Sequence, residues 1–198
     1  MLLVLFVACW LQVWTGVAGY TAGAPVGRCG DMTPGHNVTS QTSPSPYTIK
    51  VSNTTFSTNQ TIKVMIQGPV YIGLLLQARS GSNPIAVGTW GTPPSNTQHL
   101  ACSGNSQSAI THSNINIKNN ETTYTWIPPD SVNSAFITAT VVTNKTTFWI
   151  NLKSETLNRG GGNNAAADPK VAVTPVLFLM LMSTVFQSFI DAPSTTSR

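Results

Sequence analysis

Carboxylates are scarce in this chain. It has six Asp and Glu among 198 residues, and only Asp31, Glu121, Asp130 and Glu155 precede the Gly-rich stretch that begins at Arg159. No two of them adjoin in sequence, so a paired set for general acid–base chemistry is missing. No Gly-x-Ser-x-Gly elbow occurs either. The histidines His36, His99 and His112 show none of the i, i+2 or i, i+4 spacings that build a metal site, and no carboxylate cluster accompanies them. The basic residues Arg28, Lys50, Lys63, Arg79, Lys118, Lys145, Lys153 and Arg159 are scattered and read as ordinary solvated charges. That excludes a nucleic-acid footprint. No amphipathic helical window of useful length is present. These absences leave a protein expected to bind rather than catalyse, with no cofactor and no metal.

Residues 1–14 are almost unbroken apolar sequence, followed by Gly16, Val17, Ala18 and Gly19. This is the pattern of a signal peptide over residues 1–19, with Tyr20 as the mature N-terminus. An apolar stretch of about 13 residues is short for a bilayer span, which needs about 20. Cys9 leaves with that segment. Cys29 and Cys102 remain, and an even pair in an oxidising compartment predicts a disulfide. Closing a loop of about 74 residues would stabilise the fold by about 4 kcal/mol in the chain-entropy model. Five Asn-x-Ser/Thr sequons, at Asn37, Asn53, Asn59, Asn120 and Asn144, predict glycosylation and exposed positions, with Asn144 the foremost candidate because it falls in a tight turn.

From residue 20 to residue 155 short β-rich runs alternate with Gly, Pro, Asn and Ser clusters. The expected strands are 47–51, 61–67, 70–79, 85–90, 109–117, 122–127, 135–143 and 146–152. Alternation in Ile62, Val64, Ile66 and again in residues 136–141 predicts one buried and one mostly solvated face. About eight such strands suit two packed antiparallel sheets, an all-β, immunoglobulin-like sandwich. Trp90, Trp126, Phe136, Phe148 and Trp149 are the large core candidates. Residues 23–46 have no strand period and predict an irregular N-terminal arm held by the disulfide, with little regular hydrogen bonding of its own. Loops 80–83 and 91–96 are candidate recognition edges.

The domain is expected over 20–158, a Gly/Asn/Ala linker over 159–170, a hydrophobic segment over 171–190 and a polar tail over 191–198. Two membrane readings of 171–190 stay open. As a single-pass span it has the length but only Arg198 beyond it; as a glycolipid-anchor signal it follows small residues at Asn164, Ala165 and Ala166. Attachment by one route or the other is expected over free secretion.

Several blocks carry a family likeness. The opening YTAGAPVGRCGDMTPGH resembles the start of a reeler (reelin-type) domain, where a Tyr-x-x-Gly-Ala-Pro entry is followed by Cys, Met, Pro and His. The likeness continues in SPYTIKV from Ser45, YIGLLLQAR from Tyr71, AVGTW from Ala86, SAITHSN from Ser108 and YTWIPP from Tyr124. It closes with ATVVTNKTTFWINLKSE ending at Glu155. The resemblance implies an immunoglobulin-like sandwich. It also implies the settings of that family: secreted insect-type defence proteins, the N-terminal regions of reelin and spondin-type matrix proteins, and ferric-chelate-reductase-like membrane proteins. In the last group redox chemistry belongs to an additional membrane domain with haem-ligating histidines, and residues 171–190 contain no histidine. The expected function is therefore a secreted or cell-surface defence protein whose partner is an extracellular ligand such as a microbial surface component. A matrix or adhesion module is the first alternative, and a reductase-like protein lacking the redox domain the second.

Overall fold

The structure is a computed structural model that describes residues 20–160 except Asn37. The expected signal peptide, the stretch 161–170, the hydrophobic segment 171–190 and the tail 191–198 lie outside the described residues. Among the described residues no helix is long and apolar enough to cross a membrane.

Among the described residues eleven strands follow one 3-10 turn, Val26–Arg28: β1 (Thr48–Val51), β2 (Thr55–Phe56), β3 (Ile62–Gln67), β4 (Gly73–Arg79), β5 (Thr89–Trp90), β6 (Thr97–Cys102), β7 (Asn105–His112), β8 (Thr123–Ile127), β9 (Ser134–Asn144), β10 (Thr147–Lys153) and β11 (Leu157–Arg159). One sheet has the order β1-β3-β8-β5; the other runs β2-β11-β9-β4-β7-β6, with β10 also paired to β9. All pairings are antiparallel except β11 with β2, which is parallel. The expected all-β sandwich is present, with three strands more than expected. Strands β2, β6 and β11 escaped the sequence reading, and the expected strand 109–117 is shifted to Asn105–His112.

The inner faces of the two sheets share one core. Ile62, Val64 and Ile66 of β3 turn inward by the alternation that the sequence displays, while Lys63 and Gln67 are exposed. From the opposite sheet, Leu74, Leu76 and Ala78 of β4 and Ile137, Ala139 and Val141 of β9 meet them. Trp126 and Trp90 are paired in register across β8 and β5 and are fully buried. Their indole N–H groups donate to Val87 O (3.0 Å) and Ser108 O (3.2 Å), so neither buried polar atom is orphaned. At one end of the core the buried hydroxyls of Tyr71 and Tyr124 meet at 3.0 Å.

Four expectations need correction. The outer face of the larger sheet is not solvated where β4, β7 and β9 run together: Leu75, Gln77, Ala109, Thr111, Thr138 and Thr140 are buried as well, because the N-terminal arm covers them. Phe136 and Trp149 are only partly buried, and the buried Phe148 has the arm's His36 ring edge-on at 5.4 Å. The domain does not end at 158. Leu157 is buried, Arg159 stacks over the Phe56 ring and donates to Val132 O and Pro129 O, and Gly160 N donates to Phe56 O. Nor are all the cations solvated. Lys118 is buried at 3% exposure, with its Nζ donating to Ile72 O and Asn116 O, both at 2.8 Å.

Candidate ligand cavity

The arm lacks strand partners, so its carbonyls need donors from side chains wherever it lies on the sheet. The sheet supplies them through side chains, while the arm has little regular hydrogen bonding of its own, as expected. Arg79 Nη2 donates to Cys29 O (2.7 Å) and Gly30 O (2.9 Å), and Gln77 Nε2 to Cys29 O (3.0 Å). Thr140 Oγ1 donates to Met32 O (2.6 Å) and Gln98 Nε2 to Ala22 O (2.6 Å). Thr111 Oγ1 accepts from Ala24 N (2.8 Å) while donating to Leu74 O (2.8 Å). The disulfide Cys29–Cys102 adds the covalent tie, with the two Cα atoms 5.6 Å apart. Gly23 passes close to the sheet at φ +116, where a Cβ would stand 2.8 Å from His112 O; both the backbone conformation and the approach require glycine.

Beside these ties the arm and the sheet separate to leave a cavity of about 220 Å³ that opens to solvent. The sheet contributes Ile72, Gly73, Leu74, Leu75, Thr140 and Val142. The arm contributes Tyr20, Thr21, Ala24, Pro25, Arg28, Met32, Thr33, Pro34 and His36, and His112, Ile115, Asn144 and Lys145 complete the lining. Gly73 faces Val142 across the β4–β9 ladder, where an added Cβ would come within 2.9 Å of the Val142 Cβ. A side chain there would crowd Val142 beside the cavity.

The lining is mainly apolar, and its two charged residues, Arg28 and Lys145, are both cations. Lys145 is exposed, and Arg28 is shared with Asp31 at 3.2 Å in a solvent-exposed pair. The His36 Nδ1 is shielded from solvent and has no hydrogen-bond partner among the described residues. Burial, and secondarily the charge of Lys145, holds the His36 pKa below the ordinary imidazole value, which keeps this ring neutral. His112 tethers the start of the arm, because its Nδ1 accepts from Leu74 N (3.2 Å) and so leaves Nε2 to donate to Tyr20 O (2.7 Å). His99 sits elsewhere, its Nε2 donating to Trp90 O and Gly91 O.

The structure does not assemble the chemically reactive residues. Asp31 pairs with Arg28, Asp130 lies 3.9 Å from Arg159, and Glu121 and Glu155 are exposed. Among the described residues no three of His, Cys, Asp and Glu come together as metal ligands. The sequons at Asn53, Asn59, Asn120 and Asn144 are all exposed, while Asn37 lies outside the described residues. Loops 80–83 and 91–96 do not line the cavity. The cavity was missed in the sequence, although one signal was available. The run YIGLLLQA is apolar without alternation, as in a strand buried on both faces.

Comparison with known proteins places these features in a family context. The family model described as "Reeler domain" matches residues 27–165. The "Putative defense protein Hdd11" of Hyphantria cunea is 38% identical over 143 residues, 69% of this chain and 86% of that protein. "Ferric-chelate reductase 1" of Bos taurus is 31% identical over 146 residues, which make up 72% of this chain but only 24% of that protein. The crystal structure of the human F-spondin reeler domain is 17% identical, with a TM-score of 0.49, covering 62% of this chain and 94% of that domain.

Proposed function

Because the chain belongs to the Reeler domain family, we propose that it is a non-enzymatic extracellular binding protein of the defence type, with the arm–sheet cavity as its ligand site. The observation that carries this reading is the 38% identity spread over 86% of a defence-named relative. The two chains have the same domain in common, whereas the reductase relative is mostly sequence that this chain does not match. The disulfide supports passage through an oxidising compartment.

N-glycans at Asn53, Asn59, Asn120 and Asn144 belong to the same proposal, as does one at Asn37. Asn144 is the best placed, since it closes the β9–β10 turn and its Oδ1 accepts from Thr146 N (2.9 Å) and Thr146 Oγ1 (3.0 Å). Membrane attachment through residues 171–190 rests on the length and apolar character of that segment. Release of the protein from cells by phosphatidylinositol-specific phospholipase would identify a glycolipid anchor, release only by detergent would identify a span, and intact protein with Arg198 in the medium would end the attachment reading.

The binding assay is retention of the purified protein on bacteria, lipopolysaccharide and peptidoglycan beside a glycoprotein of matched charge. Retention above that control is expected, and equality with it overturns the defence reading. Retention on immobilised heparin above physiological salt would favour a matrix role instead, and haem absorbance in the full-length protein a redox role.

A further inference from the structure

The geometry points to a single acyl chain with an anionic head as the ligand of the arm–sheet cavity. This rests on the cavity being the binding site but not on the identity of the cell or surface that supplies the ligand. Three observations on this one site converge.

The first is size. A cavity of about 150 Å³ lined by aliphatic side chains holds benzene, so the 220 Å³ here holds a hydrocarbon of about nine carbons by the same proportion. The second is chemistry. Ile72, Leu75, Val142 and Met32 give the walls no charge to solvate, which excludes a sugar or a peptide with charged side chains as the buried part. The third is the sign of the polar positions. Lys145 and Arg28 line the cavity and no carboxylate does; Asp31, the partner of Arg28, is exposed and outside the lining. Processing after Gly19 would add the α-ammonium of Tyr20, another lining residue. A carboxylate or phosphate on the chain meets cations, and an ammonium meets repulsion.

The test is titration of the secreted, processed protein with sodium hexanoate, octanoate, decanoate and dodecanoate, alongside decyl phosphate, decanol and decyltrimethylammonium. Each buried methylene is expected to tighten Kd by about fourfold until the chain fills the cavity at about nine carbons, after which the gain stops. Decanoate or decyl phosphate should bind more tightly than decanol, and the ammonium amphiphile least. The order of decanoate and decyl phosphate tells a carboxylate source from a phosphate one. Lys145→Glu, an exposed position that keeps the sequon intact, should weaken both anions and leave decanol unchanged. Val142→Trp should abolish binding by filling the space. In case that variant does not fold, the methyl resonances of Leu75 and Val142 in the unaltered protein should shift on adding decanoate. Affinity independent of chain length, equal binding of the cationic amphiphile, or unmoved Leu75 and Val142 methyls each overturns the inference. Bacterial retention that persists in a folded Val142→Trp protein would remove this ligand assignment while leaving the defence reading intact. Decanoate binding without bacterial retention would do the reverse.

Discussion

The space between the two sheets and the space beneath the N-terminal arm are both lined mainly by apolar groups, yet they are built in opposite ways. Between the sheets the facing strands are already paired in ladders, so their inward side chains can be apolar, as those of Ile62, Leu76 and Ile137 are. Beneath the arm one of the two surfaces is irregular backbone. Its carbonyls at Ala22, Cys29, Gly30 and Met32 take donors from Gln98, Gln77, Arg79 and Thr140. An otherwise apolar sheet face therefore carries buried polar side chains, and the apolar remainder, Met32, Leu75, Ala86, Cys102 and Ala109, forms only a small cluster. A tightly interlocked core leaves no room for a ligand, whereas an arm tied at discrete points can stand off the sheet between them. The cavity lies on that side.

Breaking each region separately should expose the difference. Trp126→Ala removes the largest fully buried side chain type from the inter-sheet core, together with its T-shaped contact to Phe56 at 5.8 Å. It should cost about 3–5 kcal/mol, read as a lower urea midpoint with one transition for the whole domain. Next in size, replacing Cys29 and Cys102 by Ser together should cost about 2–4 kcal/mol. The arm's hydrogen bonds remain in that variant, so the protein should still fold, and the arm amides should exchange faster than those of β3 and β8. Loss of exchange protection throughout the domain would mean that the disulfide holds more than the arm.

Arg79→Met sharpens the comparison further. It leaves Cys29 O, Gly30 O and Gln77 Oε1 short of a donor and should cost about 1–3 kcal/mol. The effect belongs to the arm: limited proteolysis should cleave within residues 20–46 sooner than in the unaltered protein, with β3 and β8 unaffected. Cleavage first elsewhere would contradict the assignment of Arg79 as an arm clamp.

The same contrast explains what could be read in the sequence. Strands β3, β8 and the β9–β10 hairpin announce themselves by alternation and by the Asn144-Lys145 turn, because each packs one apolar face on the inter-sheet core. Strand β6 (TQHLAC) shows no such period. Its residues are spent on β7 and on holding the arm, through Gln98 and Cys102. Strands β2 and β11 are too short to carry a pattern, and they exist through each other and through β9. The cysteine pair was legible from compartment and count alone. The cavity was not, since it depends on where an aperiodic segment of 20–46 crosses the sheet, and only the doubly apolar β4 hinted that something covers it.

The smallest expected effect concerns pH, and it separates two buried polar groups at the same end of the domain. Tyr71 and Lys118 are joined by their backbones, Tyr71 N donating to Lys118 O at 3.0 Å and Lys118 N to Tyr71 O at 2.8 Å. Burial lowers the Lys118 pKa to about 8, against about 10.4 in the unfolded chain. Burial is also the leading cause that raises the Tyr71 pKa, to about 12, against about 10 unfolded, and the Tyr124 pKa moves up as well. For Lys118 the unfolded state binds more protons between about 8 and 10.4, so its contribution makes stability rise with pH across that window. For the tyrosines the unfolded state loses its protons first, so their stabilisation is complete below about 10 and is lost as pH climbs toward 12. Thermal unfolding followed from pH 7 to 11 should therefore show Tm increasing slightly above pH 8 and falling beyond pH 10. Lys118→Met should flatten the rise while keeping the fall, and Tyr71→Phe should soften the fall while keeping the rise. A Lys118→Met protein with the rise undiminished would place the alkaline gain in another group.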